Sequence, residues 1–285
     1  MPFLGAHLSA AGGVSRAAEA APEATCEALQ VFLRAPGRWA AAALGDDEVA
    51  RFRAACEAGG IAGRCFAHAP YLLNLASADA ALRRRSIEVL ADELGRAGRL
   101  GLAGVVLHPG SAGDGDRGEA EARCRDGIAA ALDLAGSGAA RLLLEGTAGA
   151  GGHLGRTPAE LASLAGAALR PRVGICLDTA HLWGAGYDLL GDGWDRVLDE
   201  LGAAWGLSAP DLLHANDTPV ELGSRRDRHA PPGEGRLGRA FYRRLLRDAR
   251  CAGLPMVLEI PPGDGNALIR TALRRLRRWA REPRR

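Results

Sequence analysis

Eight short apolar runs, each closed by turn residues, alternate with helical stretches, and this alternation is the feature that most constrains the fold. The runs begin at Phe3, Ala28, Arg64, Gly104, Arg141, Val173, Leu212 and Met256. The stretches between them, such as "ALRRRSIEVLADELGRAGRL", are rich in Ala, Leu, Arg and Glu at helical spacing. Such alternation is typical of parallel strands joined by helical crossovers. Eight units without a dividing linker predict an α/β fold, a (β/α)8 TIM barrel, that forms a single domain over residues 1–285.

Composition places few limits on the partner of this chain. The 36 basic and 34 acidic residues leave a net charge of +2, which neither proves nor excludes a nucleic-acid partner, since a local basic cleft can suffice. Six cysteines occur without any Cys-x-x-Cys pair, mostly within apolar runs. We therefore expect free, buried cysteines and a cytoplasmic location. No apolar run is long enough to cross a bilayer, so we expect no membrane association.

Side chains that commonly bind metals occur where the apolar runs end. They are His68, His108, Glu145, Asp178, His181, His214 and Glu259. Because the carboxyl ends of barrel strands open onto one face, these distant residues should meet there. A single histidine in an apolar run is more often a packed core residue than a ligand. Burying so many ionisable groups together, however, costs several kcal/mol each unless a cation compensates them.

The stretch "DRHAPPGEGRLG" adds two residues of the same kind, Asp227 and His229. For an isolated Asp-x-His, a polar surface loop is the usual interpretation. Here the strand ends supply further ligands, so we predict that Asp227 and His229 bind one metal together. The Pro231-Pro232-Gly233 turn behind them should limit the freedom of the loop.

The predicted ligand set contains five histidines and four acids but no cysteine. Mixed nitrogen and oxygen ligands suit zinc, with manganese or iron as competing ions, better than magnesium or calcium. Nine ligands exceed one tetrahedral site, which predicts a metal cluster with a bridging carboxylate. Closely spaced metals activate water and stabilise the leaving oxygen in displacement at phosphorus.

The chain resembles the endonuclease IV family, the zinc-dependent apurinic/apyrimidinic endonucleases of base-excision repair. The resemblance covers essentially the full length and includes "GAHLSAAGGV", "HAPYLLNLAS", "LHPGS", "LEGTAGAGG", "HANDT" and "LEIPP". Its most specific blocks are "CLDTAHLWGAGYDL" and "GSRRDRH" with "GEGRLG".

This resemblance implies three zinc sites. The first site would contain His68, His108 and Glu145. The second would share Glu145 as a bridge and add Asp178, His214 and Glu259. The third would contain His181, Asp227 and His229. Manganese remains an alternative to zinc at one of these sites.

The resemblance also implies a reaction and a partner. A zinc-activated hydroxide would cleave the phosphodiester 5′ to an abasic sugar in damaged double-stranded DNA, leaving 3′-hydroxyl and 5′-deoxyribose phosphate ends. Glu145 would be the catalytic residue that positions or deprotonates the nucleophile. Cleaning of blocked 3′ ends and a monomeric state are further expectations from the family.

Two residues are expected to contact the DNA. Tyr71 lies in the stretch that enters DNA at the lesion in the family, and a ring there could fill the gap left by a missing base. Arg38 lies in "APGRW", one place from the arginine usual in the family, where this chain has Gly37. The lysine-asparagine pair that usually precedes it in the family is also absent from this chain.

Two other functions remain as alternatives. A sugar isomerase or epimerase with the same barrel would use one divalent ion and would have no role for His181, Asp227 and His229. A catalytically inactive barrel that only binds damaged DNA would not require all nine ligands.

Two further histidines are less informative. His7 could support the metal site or simply pack, whereas His153 lies in a glycine-rich loop and is not expected to be a ligand.

Overall fold

In the computed structural model, which describes residues 1–283, eight parallel strands close into a barrel in chain order. The strands are β1 (Phe3–His7), β2 (Leu29–Phe32), β3 (Cys65–His68), β4 (Gly104–Leu107), β5 (Arg141–Glu145), β6 (Val173–Asp178), β7 (Leu212–His214) and β8 (Pro255–Leu258). The first strand pairs with the last, so the sheet has no free edge. The predicted TIM barrel is confirmed. The final two residues of the predicted single domain lie outside the described residues.

Helices alternate with these strands, as the sequence pattern predicts. They are α1 (Val14–Ala20), α2 (Asp46–Ala58), α3 (Ala80–Leu100), α4 (Arg117–Ala135), α5 (Pro158–Leu169), α6 (Thr179–Ala185), α7 (Gly193–Trp205), α8 (Gly238–Leu245) and α9 (Ala267–Arg281). Two short 3-10 turns, Ala249–Cys251 and Asp264–Asn266, flank β8. Within residues 1–283, no helix combines the length and the apolar character that crossing a bilayer requires.

Alternation along the strands divides the apolar core into two layers. The inner layer fills the barrel with Ala28, Phe66, Val106, Leu143, Cys176, Leu212 and Val257. The outer layer lies between the strands and the helices, and the neighbours Leu29 and Val31 belong to it. All six cysteines are buried and free, as expected from the sequence. The core therefore holds the strand ends in fixed positions.

A buried arginine holds the loop between β2 and α2. The Arg34 guanidinium donates to Glu93 Oε1 at 2.6 Å and to Asp92 Oδ2 at 2.5 Å, both on α3. It also donates to the Trp39 carbonyl oxygen at 2.5 Å, within its own loop. Because two carboxylates neutralise the buried charge, this network fixes the loop that carries Arg38.

Two glycines of α3 test how closely the helix layer is packed. A Cβ atom on Gly98 would overlap the carbonyl oxygen of Gly138, whereas a Cβ on Gly95 would meet nothing within 4 Å. We expect Gly98→Ala to lower the free energy of unfolding by about 1–3 kcal/mol through overpacking. Gly95→Ala should raise it by about 0.5–1 kcal/mol, because alanine favours the helix. Chemical denaturation of both variants checks this, and equal effects would contradict the close approach.

Candidate metal centre

The carboxyl ends of the strands bring the predicted ligands to one mouth of the barrel. Six of them end a strand or directly follow one: His68 (β3), His108 (β4), Glu145 (β5), Asp178 (β6), His214 (β7) and Glu259 (β8). His181 lies in the first turn of α6, directly after β6. Asp227 and His229 lie in the loop after β7. The structure thus places all nine predicted ligands at the same face.

Glu145 lies at the centre of this arrangement and is completely buried. Its Oε2 atom lies 2.9 Å from His108 Nε2 and 3.1 Å from His68 Nε2. Its Oε1 atom lies 3.0 Å from His214 Nδ1 and 3.3 Å from His181 Nδ1. Each carboxylate oxygen therefore faces a different side of the site.

Two ligand groups share Glu145. In the first ligand group (His68, His108, Glu145) the candidate ligand atoms lie within 4.8 Å of one another. The same is true of the second ligand group (Glu145, Asp178, His214, Glu259). These groupings coincide with the residues expected for the first two sites, and their role as ligands remains a prediction.

Asp227 connects two histidines in the third ligand group (His181, Asp227, His229). Its Oδ2 lies 3.2 Å from His181 Nε2, and its Oδ1 lies 3.3 Å from His229 Nε2. The ligand atoms of Asp178, His181 and His229 also lie within 4.8 Å of one another. Asp178 thus faces both the second and the third group. Asp227 is half exposed, which places this group at the entrance of the site.

The buried carboxylate of Asp217 holds the loop behind His229. Its two oxygens accept hydrogen bonds from the backbone nitrogens of Gly233, Leu237 and Gly238 at 2.8, 2.9 and 3.2 Å. Asp217, which was not predicted from the sequence, therefore provides part of the expected restraint of this loop. Its position directly after "HAN" in "HANDT" was the available signal.

Three histidines form a hydrogen bond from Nδ1 to a backbone carbonyl oxygen. The Nδ1 atoms of His68, His181 and His229 lie 2.7, 2.8 and 3.3 Å from the carbonyl oxygens of Ala69, Gly146 and Glu259. Because a carbonyl only accepts, each Nδ1 carries a proton, and in the neutral ring that binds a metal the lone pair lies on Nε2, directed into the site. Partners of this kind orient metal-binding histidines.

The donor set fits a cation. Nε2 of His181 and of His229 is buried and makes no aligned hydrogen bond within residues 1–283, although carboxylate oxygens lie nearby. Burying a ring nitrogen that makes no hydrogen bond is costly, unless a cation binds its lone pair. Nitrogen and oxygen donors without sulfur suit a divalent transition metal or zinc.

The pKa shifts of Glu145 and His181 also indicate that the site suits a cation. Burial raises the pKa of Glu145, but His108 and His214 outweigh burial and hold that pKa well below its usual range. Burial lowers the pKa of His181, but Asp178 and Asp227 raise it well above the ordinary value. Protonated imidazoles thus balance the carboxylates. Divalent cations could take over that role.

Two buried amides next to the ligands were missed in the sequence reading. Asn216 Nδ2 donates to Asp178 Oδ2 at 2.7 Å, and Asn216 Oδ1 accepts from the backbone nitrogen of Glu259 at 2.8 Å. Gln30 on β2 is the other. The signal for Gln30 was a polar residue in the middle of the apolar run "ALQVFL".

The remaining candidate residues surround the mouth. Tyr71 is 62% exposed, and its ring centroid lies 5.4 Å from that of His68. Arg38 is exposed on the loop that Arg34 holds. His7 lies beside Glu259, with 3.9 Å between Nδ1 and Oε1. His153 pairs through its backbone with Ser111 and belongs to none of the three ligand groups.

A closed (β/α)8 barrel with clustered histidines and carboxylates at its carboxyl-end mouth defines a metal-dependent TIM-barrel enzyme. The family model described as "Xylose isomerase-like TIM barrel" matches residues 18–279. A probable endonuclease 4 of Nitratidesulfovibrio vulgaris is 43% identical over 98% of this chain and 99% of its own. The crystal structure of endonuclease IV from Thermus thermophilus is 38% identical, with a TM-score of 0.87 over 99% of this chain and all of that one. The chain belongs to the endonuclease IV family.

A more distant structure shares the fold only. A D-tagatose 3-epimerase-like protein is 17% identical, with a TM-score of 0.72 over 97% of this chain and 96% of its own. Since barrels of one shape carry many different chemistries, this likeness does not extend to activity.

The third ligand group can be tested by metal content. We expect Asp227→Ala to retain one divalent ion fewer per chain than the unaltered protein, because Asp227 faces both His181 and His229. His153→Ala is the matched control and should retain the full metal content. Elemental analysis after dialysis measures both. Equal metal content in Asp227→Ala and the unaltered protein would show that Asp227 is not a ligand.

Proposed function

We propose that this protein is a zinc-dependent endonuclease of base-excision repair that cleaves the phosphodiester 5′ to an abasic site. The products are a 3′-hydroxyl and a 5′-deoxyribose phosphate, and the same site cleans blocked 3′ ends. The observation that carries the proposal is one buried carboxylate, Glu145, shared by two ligand groups beside a third at the mouth. Its full-length relatives named endonuclease 4 support the reaction class.

We assign one zinc to each ligand group, three per chain. When bound, zinc lowers the pKa of water and offsets the negative charge that develops on phosphate oxygens. Manganese in one group remains compatible with the nitrogen and oxygen donors. We propose a cytoplasmic, monomeric protein of one domain.

Glu145 is the catalytic residue in this assignment. Its lowered pKa keeps the carboxylate ionised at neutral pH but also makes it a weak base, which favours orienting the attacking water over deprotonating it. His68 and His108 hold Oε2, and His214 holds Oε1, so the carboxylate cannot rotate freely. Such fixed orientation of charge before reaction is a main source of enzymatic rate enhancement.

The third ligand group acts on the leaving group. His181 is fixed by the Gly146 carbonyl, and His229 is fixed by the Glu259 carbonyl. With Asp227 half exposed, the group is accessible to a large substrate. We assign to it the stabilisation of the departing 3′ oxygen.

Damaged double-stranded DNA binds across the mouth in this proposal. A cavity of about 840 Å³ beside the ligands is lined by residues that include His7, Arg38, Tyr71 and Glu259. Arg225, Arg226 and Arg228 are exposed on the loop that carries Asp227. Arginines so placed can contact phosphates and orient the duplex without reading its sequence. Tyr71 fills the space of the missing base.

The epimerase alternative has no specific observation in its favour. A single divalent ion would use only part of this site and would leave the Nε2 atoms of His181 and His229 without a function. Retention of all nine candidate ligands likewise does not favour an inactive DNA-binding barrel.

Incision of a defined duplex tests the reaction. We expect the purified protein to cut DNA at a single synthetic abasic site without added magnesium, leaving a 3′ end that a polymerase extends. Removing the metals by heating with a chelator should abolish incision, and zinc should restore it. Denaturing electrophoresis of the end-labelled strand follows the cut. Full activity after chelation would disprove the metal-dependent mechanism.

The matched variant for this assay is Glu145→Gln, which keeps the size of the side chain but removes the charge shared by both groups. It should show no detectable incision while retaining its circular dichroism spectrum. Normal rates in this variant would exclude Glu145 as the catalytic residue.

Tyr71 provides a test of lesion binding. We expect Tyr71→Ala to bind an abasic duplex about tenfold more weakly, since stacking of an aromatic ring in nucleic acid contributes ~1–3 kcal/mol. Tyr71→Phe keeps the ring and should bind almost normally. Fluorescence anisotropy with chelated protein measures both affinities without cleavage. Equal affinities for all three proteins would show that another residue fills the gap left by the missing base.

A further inference from the structure

His214 is oriented differently from the other buried histidines of the site. His68 and His181 direct Nε2 into the site and place Nδ1 on a backbone oxygen. His214 instead directs Nδ1 inward, 3.0 Å from Glu145 Oε1 and 3.1 Å from Glu259 Oε2. Its Nε2 atom meets no backbone oxygen but a side chain, Gln30 Oε1, at 2.8 Å. The orientation of His214 therefore depends on Gln30.

Gln30 lies inside the barrel between the apolar inner layer and the predicted ligands, since its amide contacts His214 and Glu259. It lies on β2, is completely buried, and follows Ala28 of the inner layer by two residues. Its neighbours Leu29 and Val31 belong to the outer layer. A buried amide is costly unless its donors and acceptor are used, and here all of them are used.

One amide group contacts two members of the second ligand group. Gln30 Nε2 donates to Glu259 Oε1 at 2.7 Å and lies 3.0 Å from His7 Nδ1. A carboxylate oxygen only accepts, so the amide nitrogen must face Glu259. The amide oxygen must then face His214, and it requires a proton on His214 Nε2. In the neutral ring that binds a metal, the lone pair of His214 therefore lies on Nδ1, directed into the site.

We propose that Gln30 is a positioning residue for the second ligand group. It selects the ring nitrogen of His214 that can bind a cation, and it occupies Oε1 of Glu259 so that Oε2 faces the same point. In doing so it replaces the backbone carbonyl oxygens that orient His68, His181 and His229. This inference rests on the proposed metal-dependent function, because it assigns a cation to the second group.

Zinc affinity, resolved ion by ion, tests the proposal on the full-length protein. Gln30→Met keeps an unbranched side chain of similar length but forms none of the three contacts. We expect one of the three zinc ions to bind about 10–100-fold more weakly, as is usual when a partner of a metal ligand is lost, with the other two unchanged. Competition with a chromophoric chelator measures these affinities. The visible spectrum of the cobalt-substituted protein should change for the same ion.

Val31→Ala is the matched control, because Val31 is the next residue of β2 but faces the outer layer. It should bind all three ions as the unaltered protein does. Thermal unfolding of the metal-free proteins shows whether each variant is folded. If Gln30→Met does not fold, Gln30→Ala removes the same contacts with a smaller side chain, and the same loss is expected.

The outcomes separate this inference from the proposed function. Unchanged affinities for all three ions, or an equal loss for all three, would overturn the role of Gln30. If the unaltered protein binds three ions and Gln30→Met weakens one, the role of Gln30 is supported even if abasic DNA is not cut. In that case only the proposed function fails.

Discussion

A completely buried carboxylate surrounded by histidines is the interaction on which the rest of this site depends. Glu145 contacts four imidazoles through two oxygens: Oε2 faces the first ligand group, and Oε1 faces His214 of the second group and His181 of the third. Burial alone would favour the neutral acid, yet the neighbouring histidines hold the pKa of Glu145 far below its usual range. A side chain so placed can serve two cations at once, and this explains why the other ligands are arranged in groups around it.

The barrel supplies rigidity to this arrangement at several levels. Strand ends position most of the ligands, and the Asp217 carboxylate fixes the loop that carries the two others. Backbone carbonyls orient three histidines, while Asn216 and Gln30 contact the ligands of the second group. Because these partners lie in the core, the site is largely preorganised. Members of the same fold class with other activities share the barrel, so the side chains at the mouth determine the chemistry.

The strands and the gathering of the ligands could be predicted because both follow from local patterns. Apolar runs reveal strands, and a histidine or acid at the end of each run must reach the same mouth once the barrel closes. The resemblance to endonuclease IV also grouped the ligands as the structure does for the first two sets. The roles of Gln30, Asn216, Asp217 and Arg34 could not be predicted. Each depends on partners that lie far away in the sequence.

The sequence by itself determined the barrel, the free buried cysteines and the identity of the residues that meet at its mouth, because spacing and residue type are local properties. Only the tertiary structure decided which oxygen of Glu145 faces which histidine, which ring nitrogen of each histidine is directed inward, and that Asp178 faces two groups. These are matters of ångströms and of hydrogen-bond direction. They arise when separate strands pack against one another, and no single segment carries them.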